Sequence, residues 1–149
     1  EESLPAEAAG ELFWRSGFCK GIPVPQRGKE RSSRLCGRTS GAYAECGKDV
    51  QLFCRNYPML NRDLLLTAAL FHDIGKTKEL STFPENDYTD DGQLLGHIII
   101  GTEMVSDHIR EIPGFPPRLA SELKHCILAH HGELEYGSPK KPAILEAMA

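Results

Sequence analysis

The stretch that decides the fold is NRDLLLTAALFHDIGK, residues 61–76. Asn61 suits the N-cap of a helix over 62–73, because its side-chain oxygen can accept from a backbone N–H of the first turn. Gly75 stands where a C-terminal glycine belongs. Leu65, Ala68, Ala69 and His72 fall at i, i+3, i+4 and i+7, so they share one helix face. The two alanines beside His72 let a neighbouring helix approach closely. Asp73 follows at once, where its carboxylate can meet the same ion as the imidazole or bridge two ions. That donor pair suits Mn, Fe, Ni or Zn and leaves positions open for water.

Working outward toward the C-terminus, the pattern stays helical. A second helix is expected over 93–111, stopped by Pro113. His97, Gly101, Met104 and His108 share one of its faces, beside the apolar face of Leu94, Ile98, Val105 and Ile109. A third should start at Pro116 or Pro117, which suit a first turn, and end near His131 before Gly132. Its stripe is Leu119, Leu123, Cys126, Ile127 and His130. TFPENDYTDDG (82–92) and GELEYGSPKKP (132–142) read as loops, and PAILEAMA (142–149) opens a fourth helix. No strand pattern appears, so the fold class is all-α.

His72, His97 and His130 can therefore point from three helices into one interior, which is how a bundle builds a metal site. Each has a plainer reading. A single buried histidine is usually a hydrogen-bonded core residue, and His108 and His125 are read as structural or surface. His131 is ambiguous, since one residue past His130 on a helix points about 100° away. Lys76 could be an ordinary cation at a helix C-terminus, and Cys126 inert packing.

Toward the N-terminus the signal weakens. Residues 4–18 carry a loose helical pattern leading into the domain. Residues 20–55, rich in Gly, Arg and Ser, sustain neither a helical nor a strand period, so they read as irregular. A structureless run of that length is out of place inside a compact domain. The 149 residues suffice for one domain with a real core. A net charge of −4 argues against a generally basic nucleic-acid coat. The five cysteines are odd in number and lack CxxC spacing, which argues against a disulfide framework or a structural zinc site. No run approaches the ~20 apolar residues of a membrane span. The acidic start is unlike a signal peptide, so the cytoplasm is the expected location.

Three blocks carry a resemblance: ALFHDIGK (69–76), DYTDDGQLLGHIIIG (87–101) and ILAHHGELEYGSPKKPAILEAM (127–148). The first resembles the His-Asp signature of the HD superfamily of metal-dependent phosphohydrolases. The other two, in that order, are similar to stretches of the bacterial YhaM-type 3′→5′ exoribonucleases, which shorten RNA or single-stranded DNA from the 3′ end. The likeness runs from about Asn56 to the chain end. It implies an HD-type helical bundle over 56–149 and a divalent metal ion (Mn, Fe, Ni, Zn or Mg). It implies His72, Asp73, His97 and His130 as metal ligands, with His131 as a further candidate. Asp73 and Lys76 are the implied catalytic residues, with Lys76 meeting a substrate phosphate oxygen. The implied substrate is RNA, single-stranded nucleic acid or a nucleotide.

The sequence departs from that pattern in three places. The family's earlier histidine, in a helix reading roughly GGLLEHT, has no counterpart, since no histidine precedes His72. The aspartate expected after the SPKKP loop is not reached before Ala149, so the domain is expected to be truncated at its C-terminus. The family's N-terminal OB-type domain is expected to be absent as well. One reading accounts for the first departure. Read one base later with permitted codons, Gly28 through Arg55 can encode AKNVHHAYVGGLLEHTLNVAKMCNFFAE, in which Ser32 and Ser33 supply HH and Ala42 the histidine of LLEHT. Residues 20–55 are then an out-of-frame version of the first histidine helix. Taken literally, the segment is a basic flexible insertion that leaves apolar helix surface uncovered, which predicts homo-oligomer formation. Two other functions remain open: an HD phosphohydrolase of nucleotides or small phosphate esters, and a catalytically impaired HD-fold binding domain.

Overall fold

Asn61 caps its helix as expected: its side chain accepts from Leu64 N at 3.1 Å. The computed structural model describes the backbone of residues 39–81 and 87–149, and side chains from residue 48 onward. Within these, α1 spans Thr39–Asn56, α2 Arg62–Phe71, α3 Lys76–Glu79 and α4 Asp90–Leu94. They are followed by α5 Gly96–Arg110, α6 Pro117–Ala129, a 3₁₀ turn Leu134–Tyr136 and α7 Leu145–Met148. Among the described residues the fold is all-α; the sole strand-like pairing is an isolated bridge between Leu80 and Tyr88. No described helix is long and apolar enough to cross a membrane. The helix expected over 4–18 lies outside the described residues.

The core is built where α5 and α6 pack together and α2 lies against α6. Leu64, Phe71, Val105, Ile109, Leu123 and Ile127 fill it. Leu123 and Ile127, both wholly buried, realise the stripe read from the sequence; burying such a side chain is worth ~1.5–3 kcal/mol. Cys126 lies in the same core, and burial, with the charges of Glu146 and Glu122, pushes its thiol up to about 12. It stays a neutral packing group. Pro117 opens α6 as expected, and Gly132 (φ +78°) follows its end. The Glu146 carboxylate ties α7 back to α2 by accepting from Asn61 N at 2.7 Å.

Four expectations need correction. First, α2 ends at Phe71, not at 73, and Gly75 is no left-handed stop: its φ is −61°. The chain turns instead through Ile74 N→Phe71 O and Lys76 N→Asp73 O, then starts α3. Gly75 is needed for close approach. A Cβ there would lie 1.9 Å from the His97 carbonyl oxygen and 2.6 Å from Gly101 N, both backbone atoms of α5.

Second, the helix expected over 93–111 is two helices. The chain breaks at Leu95–Gly96, where Gly96 takes φ +72°, a conformation side chains other than glycine's adopt poorly. Third, the loop expected over 82–92 turns helical at Asp90, because Thr89 caps α4 by accepting from Gly92 N at 2.9 Å. Residues 82–86 of that loop lie outside the described residues.

Fourth, residues 39–55 of the segment read as irregular belong to α1. Gly41 and Gly47 weaken that helix by ~1 kcal/mol each relative to alanine. Docking against α2, with Val50 buried, provides the stabilisation that its own sequence lacks. Residues 20–38 lie outside the described residues.

Candidate metal centre

The close crossing of Gly75 with α5 brings three chain ends together. His72 caps the end of α2 and Asp73 follows it; His97 is the second residue of α5; His130 caps the end of α6, with His131 next. Ring centroids lie 5.2 Å apart for His72–His130, 5.7 Å for His97–His130 and 5.2 Å for His97–His131. The adjacent pair His130–His131 is at 4.3 Å. One ligand atom from each of His97, His130 and His131 lies within 4.8 Å of the other two. His131, ambiguous on helical spacing alone, lies beyond α6, which has already ended at Ala129. Past the helix, the turn folds His131 onto the cluster.

Asp73 sits at the centre. Its Oδ1 is 3.7 Å from His97 Nε2 and 3.8 Å from His130 Nε2, and its Oδ2 is 3.4 Å from His72 Nε2. Lys76 Nζ donates to the same Oδ2 at 2.6 Å. Lys76 thus lies in the cluster as an ion pair with Asp73, rather than as a bare cation at a helix end. His97 and His130 keep 14% of their side chains exposed and His72 44%, so His72 forms the rim.

The outer nitrogens fix the chemistry of the inner ones. His72 Nδ1 lies 2.9 Å from Ala69 O, His130 Nδ1 2.7 Å from Ile127 O, and His131 Nδ1 2.7 Å from Tyr136 O. Carbonyl oxygens only accept, so each Nδ1 carries the hydrogen and each neutral ring is left with its lone pair on Nε2. His97 Nδ1 faces the Glu79 carboxylate at 3.2 Å, with the same consequence.

Asp73 Oδ1, His97 Nε2 and His130 Nε2 are all buried without a hydrogen-bond partner. Three acceptors facing one another, with no donor between them, form a hole for a cation. Their separations are too long for hydrogen bonds but match the ~3–4 Å that ligands of one ion leave between themselves, given metal–ligand bonds near ~2.1 Å. The residues present therefore fit a divalent metal ion.

The charges agree. Burial opposes ionisation of Asp73, but hydrogen bonds from His72, in its protonated form, and from Lys76, with their positive charges, outweigh it and hold the carboxyl well below the usual carboxylate range. The hydrogen bond with Asp73 raises the His72 pKa, against the opposing effect of burial. Burial lowers that of His130, which favours the neutral ring whose Nε2 keeps its lone pair.

Two histidines stand apart. His108 is eleven residues beyond His97, ~16 Å along the helix axis, with Glu111 at 3.4 Å. His125 Nε2 accepts from Ala143 N at 2.9 Å and pins the segment leading to α7. One residue of the cluster escaped the sequence reading. Glu79, 9% exposed, accepts from both the backbone N and Nδ1 of His97. It sits on the four-residue α3, too short to leave a periodic signal.

Comparison with known proteins fits this geometry. Relatives include the 3′-5′ exoribonuclease YhaM of Bacillus velezensis, 46% identical over 91 residues, which is 61% of this chain and 29% of that protein. The protein of the same name from Bacillus subtilis is 45% identical over 95 residues, and that from Listeria innocua 45% over 91, with the same shares covered. The chain thus spans less than a third of the length of these relatives, 29% in each case. No solved structure gave a significant match. The HD domain family matches residues 41–149, well over half of the sequence. With that match and an all-α fold converging on a His-Asp cluster, the chain belongs to the HD domain family.

Proposed function

We propose that this domain is the hydrolytic module of a metal-dependent 3′→5′ exoribonuclease-like phosphodiesterase, acting on the ends of RNA or single-stranded DNA. The observation that carries the proposal is the set of three buried, unpartnered acceptors on Asp73, His97 and His130. Relatives named as 3′-5′ exoribonucleases support this choice of substrate class. His72, Asp73, His97, His130 and His131 would hold the ion. One carboxylate among four imidazoles favours Mn, Fe, Ni or Zn over Mg, which prefers oxygen donors. When bound, such an ion lowers the pKa of water and neutralises charge on phosphoryl oxygens.

The chain's own residues do the rest. The Nδ1 hydrogen bonds hold the rings so that their lone pairs face inward before any ligand arrives. Lys76, 26% exposed, balances the Asp73 charge and keeps a face for a phosphate oxygen. The test is release of mononucleotides from a 3′-labelled single-stranded oligomer in the presence of Mn²⁺. Turnover of free nucleotides but not of the oligomer would support the small-ester reading instead. Stoichiometric metal without turnover of either would indicate a binding domain.

We also propose that residues 20–55 are the out-of-frame form of the first histidine helix. In support, α1 covers the positions that LLEHT would occupy, 39–43. Sequencing the coding DNA across codons 20–56 decides it. Codons that permit the shifted reading restore a histidine at position 42, while a single block of incompatible codons ends the idea.

A further inference from the structure

A buried carboxylate is uncommon unless something pairs with it. Glu79 is such a group, and among the described residues the basic side chain it meets is the His97 imidazole, not a lysine or arginine. It is held from both sides. Its backbone carbonyl accepts from Thr89 N at 2.9 Å and from Thr89 Oγ1 at 3.2 Å. Gly92 packs so tightly on that carbonyl that a Cβ there would come within 2.2 Å.

The side chain then makes two bonds with one oxygen, to His97 N at 3.0 Å and His97 Nδ1 at 3.2 Å. The first is a cap. His97 is the second residue of α5, and Leu95, the residue before that helix, makes no side-chain capping bond. Glu79 therefore supplies a negative charge at a helix N-terminus from 18 residues away. The second bond acts on the ring, whose other nitrogen is one of the unpartnered acceptors of the cluster.

Resting on the metal-centre reading above, we propose that Glu79 is a positioning residue for His97. It fixes His97 as the Nδ1–H tautomer, aims Nε2 at the cation site, and through its charge strengthens that nitrogen as a donor, without touching the ion itself. Carboxylate partners of this kind change metal affinity by ~10–100-fold when removed. Because the same oxygen also caps α5, loss of stability alone would not establish the role.

The experiment uses the full chain and its Glu79→Gln and Glu79→Ala variants, with two readouts. Zn²⁺ affinity is measured by competition with a chromophoric chelator. The His97 tautomer is read in the metal-free protein from long-range ¹H–¹⁵N correlations. Glu79→Ala should lose ~10–100-fold in affinity and its Nδ1–H preference. Glu79→Gln, which keeps an acceptor but no charge, should retain the tautomer and lose affinity to a smaller extent. Wild-type affinity in Glu79→Gln overturns the charge effect, and it does so even if Glu79→Ala fails to fold. An unchanged tautomer in a folded Glu79→Ala overturns the positioning. If the unsubstituted chain binds no Zn²⁺, the metal-centre reading fails, and the tautomer measurement still decides whether Glu79 aims His97.

Discussion

Asp73→Asn is expected to cost more than the ~100-fold in metal affinity that loss of an outer partner can bring, while the protein stays folded. The reason lies in which atoms face each other. Asp73 Oδ1 meets two lone pairs, those of His97 Nε2 and His130 Nε2, and Oδ2 meets Lys76. An asparagine amide turned toward the imidazoles would donate to the buried acceptors that now lack a partner. Its carbonyl oxygen would keep the contact with Lys76. The substitution thus fills the cation hole with hydrogen and removes its negative charge. Equilibrium dialysis with Zn²⁺ and a thermal melt of the metal-free protein check both halves; retained affinity within ~10-fold of wild type would sink the assignment.

In the unsubstituted protein the same affinity should rise from pH 6 to pH 8. Metal binding requires neutral imidazoles, so protons compete with the ion and affinity falls as pH falls. His130, lowered by burial, resists protonation as pH falls. His72, raised by its hydrogen bond to Asp73, holds its proton to higher pH than His130 and extends the competition upward. A pH-independent affinity would mean that these imidazoles are not the ligands.

Gly75→Ala is expected to destabilise by more than ~3 kcal/mol, a large share of the ~5–15 kcal/mol a domain of this kind has. Overpacking usually costs ~1–3 kcal/mol because side chains can move aside. Here the obstacles are the backbone of His97 at 1.9 Å and of Gly101 at 2.6 Å, in the first turns of α5. Relief requires moving α5 away from the 71–76 turn, which also separates His97 from Asp73. Metal affinity should therefore fall together with the urea midpoint. Gly114→Ala is the control: its φ of +76° is unfavourable for alanine, at ~1–2 kcal/mol, but nothing lies within 4 Å of the new Cβ. Equal losses at the two sites would refute the close-approach role.

Much of this protein is legible without coordinates. Asn61, the i, i+3, i+4 spacing through His72 and Pro117 each act within a turn or two, so α2 and α6 and the inward aim of His72 and His130 follow from local rules. The blocks around His72, His97 and His130 also identified the family, since they name the donor types directly. Where local rules compete, the sequence misled. Gly75 reads as a helix stop, yet it is small because another backbone passes against it. Residues 39–55 read as irregular, yet they are helical where they dock on α2.

What the sequence by itself determined is an all-α HD domain with helices leading into His72 and His130, because periodicity and capping are short-range effects. Only the tertiary structure decided which of those groups meet. It folded His131 onto the cluster after α6 ended, paired Lys76 with Asp73, and set Glu79 against His97 across 18 residues. It also left three buried acceptors without a donor. Such contacts depend on where separate helices cross, and the distance of that crossing is set by the absence of a side chain at Gly75, which no periodic pattern records.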